Sequence, residues 1–218
     1  MCPKGDPMTA LTERFARAVE YARIAHAGQT RKGTTIPYIT HLLGVAALVL
    51  EFGGDEDQAI AGLLHDTLED CGAHHEPIIR QQFGDRVAES VLACTDGTAE
   101  DKGTHTDPDA KRRDWLARKQ AYLAHLADAS DDVLLVSACD KLHNARAIVQ
   151  DIEDPAVGLA VFDRFKAGRD GTLAYYESLA RALSIRGLRV AKVLDEVVGR
   201  MHALSGLTER TGLLGQGE

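Results

Sequence analysis

Ala59–Asp70 reads AIAGLLHDTLED: an apolar segment with no polar residue between Ile60 and Leu64, followed by His65, Asp66, Glu69 and Asp70. The spacing predicts a helix, in which residues three and four apart share a face. On that face Asp66 meets Glu69 and Asp70, and His65 meets Glu69. Carboxylates so close repel one another and resist desolvation, and a cation among them would relieve that cost. The stretch therefore reads as a helix that enters a core and ends in a metal-assisted site. A solvated acidic face is the competing reading and the commoner fate of such runs. The apolar approach to His65 weighs against it without deciding the matter.

Upstream, Gly53-Gly54 breaks the chain and Asp55 is placed to cap the central helix, which is expected to continue to Asp70 and stop at Cys71-Gly72. Before it, Tyr38–Phe52 (YITHLLGVAALVLEF) reads as a helix with a wide apolar face and His41 in its first turn. Gln29–Pro37 is a loop by its Gly, Thr and Pro content, and it carries Arg31 and Lys32. A first helix, capped by Thr9, shows Leu11, Phe15, Ala18, Val19, Ala22 and Ala25 at helical spacing.

Downstream, short helices are expected over Glu76–Phe83 and Asp85–Thr95, then a long loop to Asp109. Ala110–Ala127 is a charged helix with Lys111, Lys119 and the single Trp115. Ser130 or Asp131 caps the next helix, whose apolar run is interrupted by Asp140 with Asn144 one turn on. An Asp in such a run is rarely unpaired, and a salt bridge to Arg or Lys is one way to satisfy it. Helices over Val157–Phe165 and Thr172–Leu183, joined by AGRDG, and a last one over Leu188–Leu204 complete the pattern. The fold class is all-α: one compact bundle of roughly eight to ten helices over residues 9–204. Residues 1–8 are expected to be a disordered N-terminus, and 205–218 a flexible tail.

The 218 residues, 44% hydrophobic, suffice for a substantial core. The net charge of −8 argues against nucleic-acid binding, yet leaves room for a small anionic substrate held by local Arg and Lys. Cys2, Cys71, Cys94 and Cys139 form no CxxC pair, which suits a reduced, cytoplasmic compartment. No apolar run approaches a membrane span, and the N-terminus lacks the apolar region of a signal peptide.

His41, the pair His65-Asp66 and Asp140 all lie in or beside apolar helices. Two imidazoles and two carboxylates suit one divalent metal such as Mn, Fe or Zn. Their order resembles that of the HD-domain metal-dependent phosphohydrolases. AHAGQTRKGTTIPYITHLLGVA, AGLLHDTLED, FGDRVAESVLACTD and CDKLHNAR are similar, in order, to the hydrolase domain of the RelA/SpoT alarmone enzymes. The resemblance runs from about Phe15 to Leu183 and implies a stand-alone small alarmone hydrolase, with no synthetase or regulatory domain.

The resemblance implies Mn2+ held by His41, His65, Asp66 and Asp140, with Glu69 and Asp70 acting on the water and the leaving group. It places Arg31 and Lys32 beside the nucleotide and Asn144 in the substrate pocket. Arg169 and Tyr175 are further candidate pocket walls. The implied reaction removes the 3′-diphosphate of guanosine tetra- or pentaphosphate, giving GDP or GTP and pyrophosphate. A bound cation, acid–base carboxylates and phosphate-neutralising Arg and Lys are what such a transfer needs. The motif is shared with enzymes acting on adenosine analogues or the 2′-phosphate of NADPH, and with nucleotide sensors lacking catalysis. A sensor would be expected to have lost a ligand or the acid–base pair, and both are present. Neither the metal nor a homo-oligomeric state follows from the sequence.

Overall fold

A computed structural model describes residues 9–95 and 107–213, apart from the side chains of 108 and 109. The 1–8 segment, residues 214–218 and most of the expected 95–109 loop lie outside the described residues. The elements are α1 (Glu13–Ala25), α2 (Ile39–Glu51), α3 (Glu56–Leu64), α4 (Thr67–Cys71), α5 (His75–Phe83) and α6 (Asp85–Cys94). They continue with α7 (Pro108–Asp128), α8 (Asp131–Glu153), a 3-10 helix (Gly158–Arg164), α9 (Gly168–Ile185) and α10 (Arg189–Leu204). The architecture is all-α, and no described residue belongs to a named strand.

α8 is the axis of the bundle. Ser130 caps it, its Oγ accepting from the Val133 amide at 3.4 Å. Every residue from Val133 to Asp140 is buried, because α2, α3, α6, α9 and α10 pack around it. A helix surrounded on all sides carries apolar residues on all sides. This is why the β-branched start of α8 is helical although it could pass for a strand. α3 is buried in the same way over Ala59–Leu64. Its start is fixed by a capping box, with the Asp55 carboxylate on the Gln58 amide and the Gln58 side chain on the Asp55 amide. Such a cap contributes about 1 kcal/mol.

Several expectations need correction. Thr12, not Thr9, caps α1; its Oγ1 accepts from the Arg14 amide. The AGRDG stretch is not a connector, since α9 already begins at Gly168. The segment 157–165 is a 3-10 helix rather than an α-helix. The central helix does not run unbroken to Asp70. It stops at Leu64 and resumes at Thr67, with Asp66 at φ −92° and ψ −2°. Successive residues of a regular helix point about 100° apart, so two adjacent side chains converge on one point only by leaning toward each other. At the turn between α3 and α4 they do so, and His65 Nε2 stands 3.0 Å from Asp66 Oδ2.

Residues 205–213, whose composition suggested a loose tail, lie against α9 and α10. Leu213 is buried and its amide donates to Ser178 Oγ at 2.9 Å. Arg210 bonds the buried Glu177 and Asp195. Arg181 of α9 already pairs with one oxygen of the buried Glu177 carboxylate at 2.8 Å, and Arg210 adds a second cation on the other at 2.6 Å.

Candidate functional site

Three stretches meet where α2, α8 and the α3–α4 turn cross. His41, His65 and Asp66 offer ligand atoms that all lie within 4.8 Å of one another. Asp140 closes the group from α8, its Oδ1 3.2 Å from His41 Nε2 and 3.5 Å from His65 Nε2. The structure thus gathers the four sequence-expected ligands.

Each member is held from behind. The Gly62 carbonyl can only accept, so His65 Nδ1, 2.9 Å away, carries the proton and turns Nε2 inward. His41 Nδ1 meets His143 Nδ1 at 2.9 Å, which likewise turns the His41 Nε2 inward. Tyr38 donates its hydroxyl to Asp66 Oδ2 at 2.6 Å. Asn144 Nδ2 and Lys141 Nζ each donate to Asp140, both at 2.6 Å. The salt bridge weighed for Asp140 is therefore present, alongside its place in the cluster.

Burial opposes charge on His65, but the Asp66 and Asp140 carboxylates outweigh it and raise its pKa well above the ordinary imidazole value. Burial would raise the pKa of Asp66; the His65 charge and bonds from both imidazoles instead hold it well below the usual carboxylate range. The Nε2 atoms of His41 and His65 are nonetheless buried without a well-formed hydrogen bond. Two orphaned imidazole nitrogens facing two carboxylates, with Nδ1 of each ring already engaged, form a donor set that fits a divalent cation.

A cavity of about 600 Å³ opens beside this cluster, within the range of small-ligand sites. Tyr38, Lys141 and Asn144, which bond the cluster acids, form part of its wall, as does Glu69. Asp70 is half-buried and outside that wall. Arg31 reaches across from its loop to donate to Asn144 Oδ1 at 2.7 Å and sits over the Tyr38 ring. Lys32, Lys111, Trp115, Lys119 and Tyr175 also line the cavity. Arg169 does not. It stands in the first turn of α9, 43% exposed and paired with Asp170, because that turn is helical rather than a loop folding over the pocket.

Sequence reasoning missed Tyr38, Lys141 and His143. His143 carried the only available signal, lying three residues after Asp140 and hence on its face of α8.

This fold and donor set define an all-α domain with a candidate divalent-metal centre. The HD domain model matches residues 18–173, and the chain belongs to the HD domain family. It is 47% identical over 83 residues to a guanosine-3′,5′-bis(diphosphate) 3′-pyrophosphohydrolase of Aquifex aeolicus, covering 38% of this chain and 12% of that protein. It is 32% identical over 178 residues to the bifunctional (p)ppGpp synthase/hydrolase SpoT of Escherichia coli, covering 81% of this chain and 23% of SpoT. The chain thus spans less than a quarter of the length of either curated relative. A solved metazoan ortholog of SpoT, described as hydrolysing ppGpp, superimposes with a TM-score of 0.67 at 26% identity, over 91% of this chain and 99% of that one. No described helix is long and apolar enough to cross a membrane.

Proposed function

We propose that this chain hydrolyses the 3′-diphosphate of guanosine 3′,5′-bis(diphosphate) and its 5′-triphosphate counterpart, releasing pyrophosphate and GDP or GTP. The observation that carries this reading is the group of buried His41 and His65 with half-buried Asp66, closed by buried Asp140, beside a cavity rich in lysine and arginine. The names of the relatives supply the nucleotide, and the domain responsible is residues 9–204.

His41, His65, Asp66 and Asp140 are the residues assigned to hold one divalent cation, with Mn2+ the proposed metal. Bound there, the cation supplies Lewis-acid polarisation of a phosphoryl oxygen and acidifies water. Glu69 takes the proton of the attacking water, and Asp70, in the same turn, supports the charge. Arg31 and Lys32 neutralise the phosphates, Arg as a fork and Lys as a point charge. Tyr38 and Asn144 keep Asp66 and Asp140 from rotating away.

The test is pyrophosphate release from guanosine tetraphosphate, with Mn2+ and with chelator, beside the adenosine analogue and NADPH. Mn2+-dependent release from the guanosine substrate is expected. Turnover of another substrate alone would retain the site and discard the guanosine assignment.

The positioning of His41 yields its own prediction. A Cβ added at Gly44 would stand 2.2 Å from His143 Nε2, so Gly44→Ala must displace that ring and release His41 Nδ1. Mn2+ affinity should fall by roughly 10–100-fold, the usual cost of losing such a backing contact. Calorimetric titration reads it directly, and wild-type affinity would show that His143 does not orient His41.

A further inference from the structure

The cations of the cavity are unevenly neutralised. Lys141 is paired with Asp140, Arg164 with Asp151 at 2.6 Å and Arg118 with Asp114 at 3.3 Å. Arg31 is engaged by Asn144. Lys32, Lys111 and Lys166 line the same cavity, and none of them forms an ion pair among the described residues. Lys32 stands over the Phe165 ring, and burial together with the nearby Lys166 lowers its pKa. These like charges remain accessible to solvent, and their mutual repulsion is relieved when an anion arrives between them.

A second cleft of about 280 Å³ is walled by Lys111, Arg112, Trp115, Lys166 and Ala167. All but Arg112 also line the large cavity, so the two spaces adjoin at Trp115. The cleft shares none of the residues that adjoin the His/Asp cluster. No carboxylate stands in its wall, and Trp115 is fixed there by edge-on packing against Tyr175.

We propose that this cleft reads the length of the substrate's 5′-phosphate chain. The inference rests on the guanosine bis(diphosphate) reading of the same site. With the 3′-diphosphate at the cluster, the 5′ chain is the remaining polyanion, and the unneutralised cations mark where it lies. A 5′-diphosphate ends within the large cavity. A 5′-triphosphate carries its terminal phosphate past Trp115 to Arg112, which can fork onto it. Arg112 contributes to the outer cleft alone, so it discriminates between the two.

The test titrates the full chain with GDP and GTP by calorimetry, in wild type, Arg112→Ala and Arg113→Ala, beside turnover of the two 3′-diphosphate substrates. Arg113 is the control: it removes the same charge from the same helix, yet lines neither space. Wild type is expected to prefer GTP, and Arg112→Ala to lower the GTP-to-GDP affinity ratio about tenfold, as the loss of one charge-assisted contact does. Arg113→Ala should leave the ratio where it was. No GTP preference in wild type, an unchanged ratio in Arg112→Ala, or equal effects of the two variants would overturn the assignment. If the ratio depends on Arg112 while neither 3′-diphosphate is cleaved, the catalytic reading falls and the cleft reading stands.

Discussion

Asp140→Ala is expected to abolish Mn2+ binding and pyrophosphate release together, and to weaken the fold. Asp140 is 4% exposed and receives Lys141 and Asn144 on its two oxygens while facing both imidazoles. Alanine leaves the Lys141 ammonium without its partner on a side chain only 18% exposed. Breaking such a buried pair from one side costs about 3–5 kcal/mol, a fall in Tm of roughly 6–20 °C for a chain of this size. Loss of activity in that variant alone would be ambiguous, and Asp140→Asn separates the two effects. The amide keeps the volume and an oxygen for Lys141, but presents no charge to the cluster. It should melt closer to wild type than the alanine variant does. It should also bind Mn2+ more than about 100-fold more weakly, since backing contacts alone are worth 10–100-fold. Circular dichroism melts and Mn2+ titration measure these quantities. Wild-type Mn2+ affinity in a folded Asp140→Asn protein would remove Asp140 from the ligand set.

The helices were legible because apolar residues recur at helical spacing and the caps are local: Asp55 before α3 and Ser130 before α8 can be read from a few adjacent residues. What stayed hidden depends on elements distant in the chain. The interruption at His65-Asp66 is invisible to periodicity, because the local pattern is helical on both sides. The turn serves a meeting with Tyr38, His41 and Asp140 that no window of sequence contains. Tyr38 and His143 look like ordinary helix residues until α2 and α8 cross and bring His41 against His143, 102 positions away. Residues 205–213 misled for the same reason. Their polar composition suggests a solvated tail, yet Arg210 answers a buried Glu177 that lies 33 positions earlier. Arg169 misled in the opposite sense: a cation between glycines reads as a pocket wall, while in the first turn of α9 it lies outside the cavity lining.

Glu69→Gln should separate chemistry from metal binding. Glu69 lies in α4, three residues past Asp66, half-buried and in the cavity wall. It lies outside the group formed by His41, His65 and Asp66, to which Asp140 is added through its contacts with both imidazoles. Glutamine preserves its length and polarity but cannot accept a proton near neutral pH. Mn2+ affinity should therefore stay within about threefold of wild type, while the single-turnover rate falls roughly 100-fold or more, within what an acid–base group contributes. An unchanged rate would transfer the role to Asp70, the next carboxylate on α4, and Asp70→Asn would then carry the loss. A fall in Mn2+ affinity matching the fall in rate would instead make Glu69 a support of the cluster, reached through the same turn that aims Asp66.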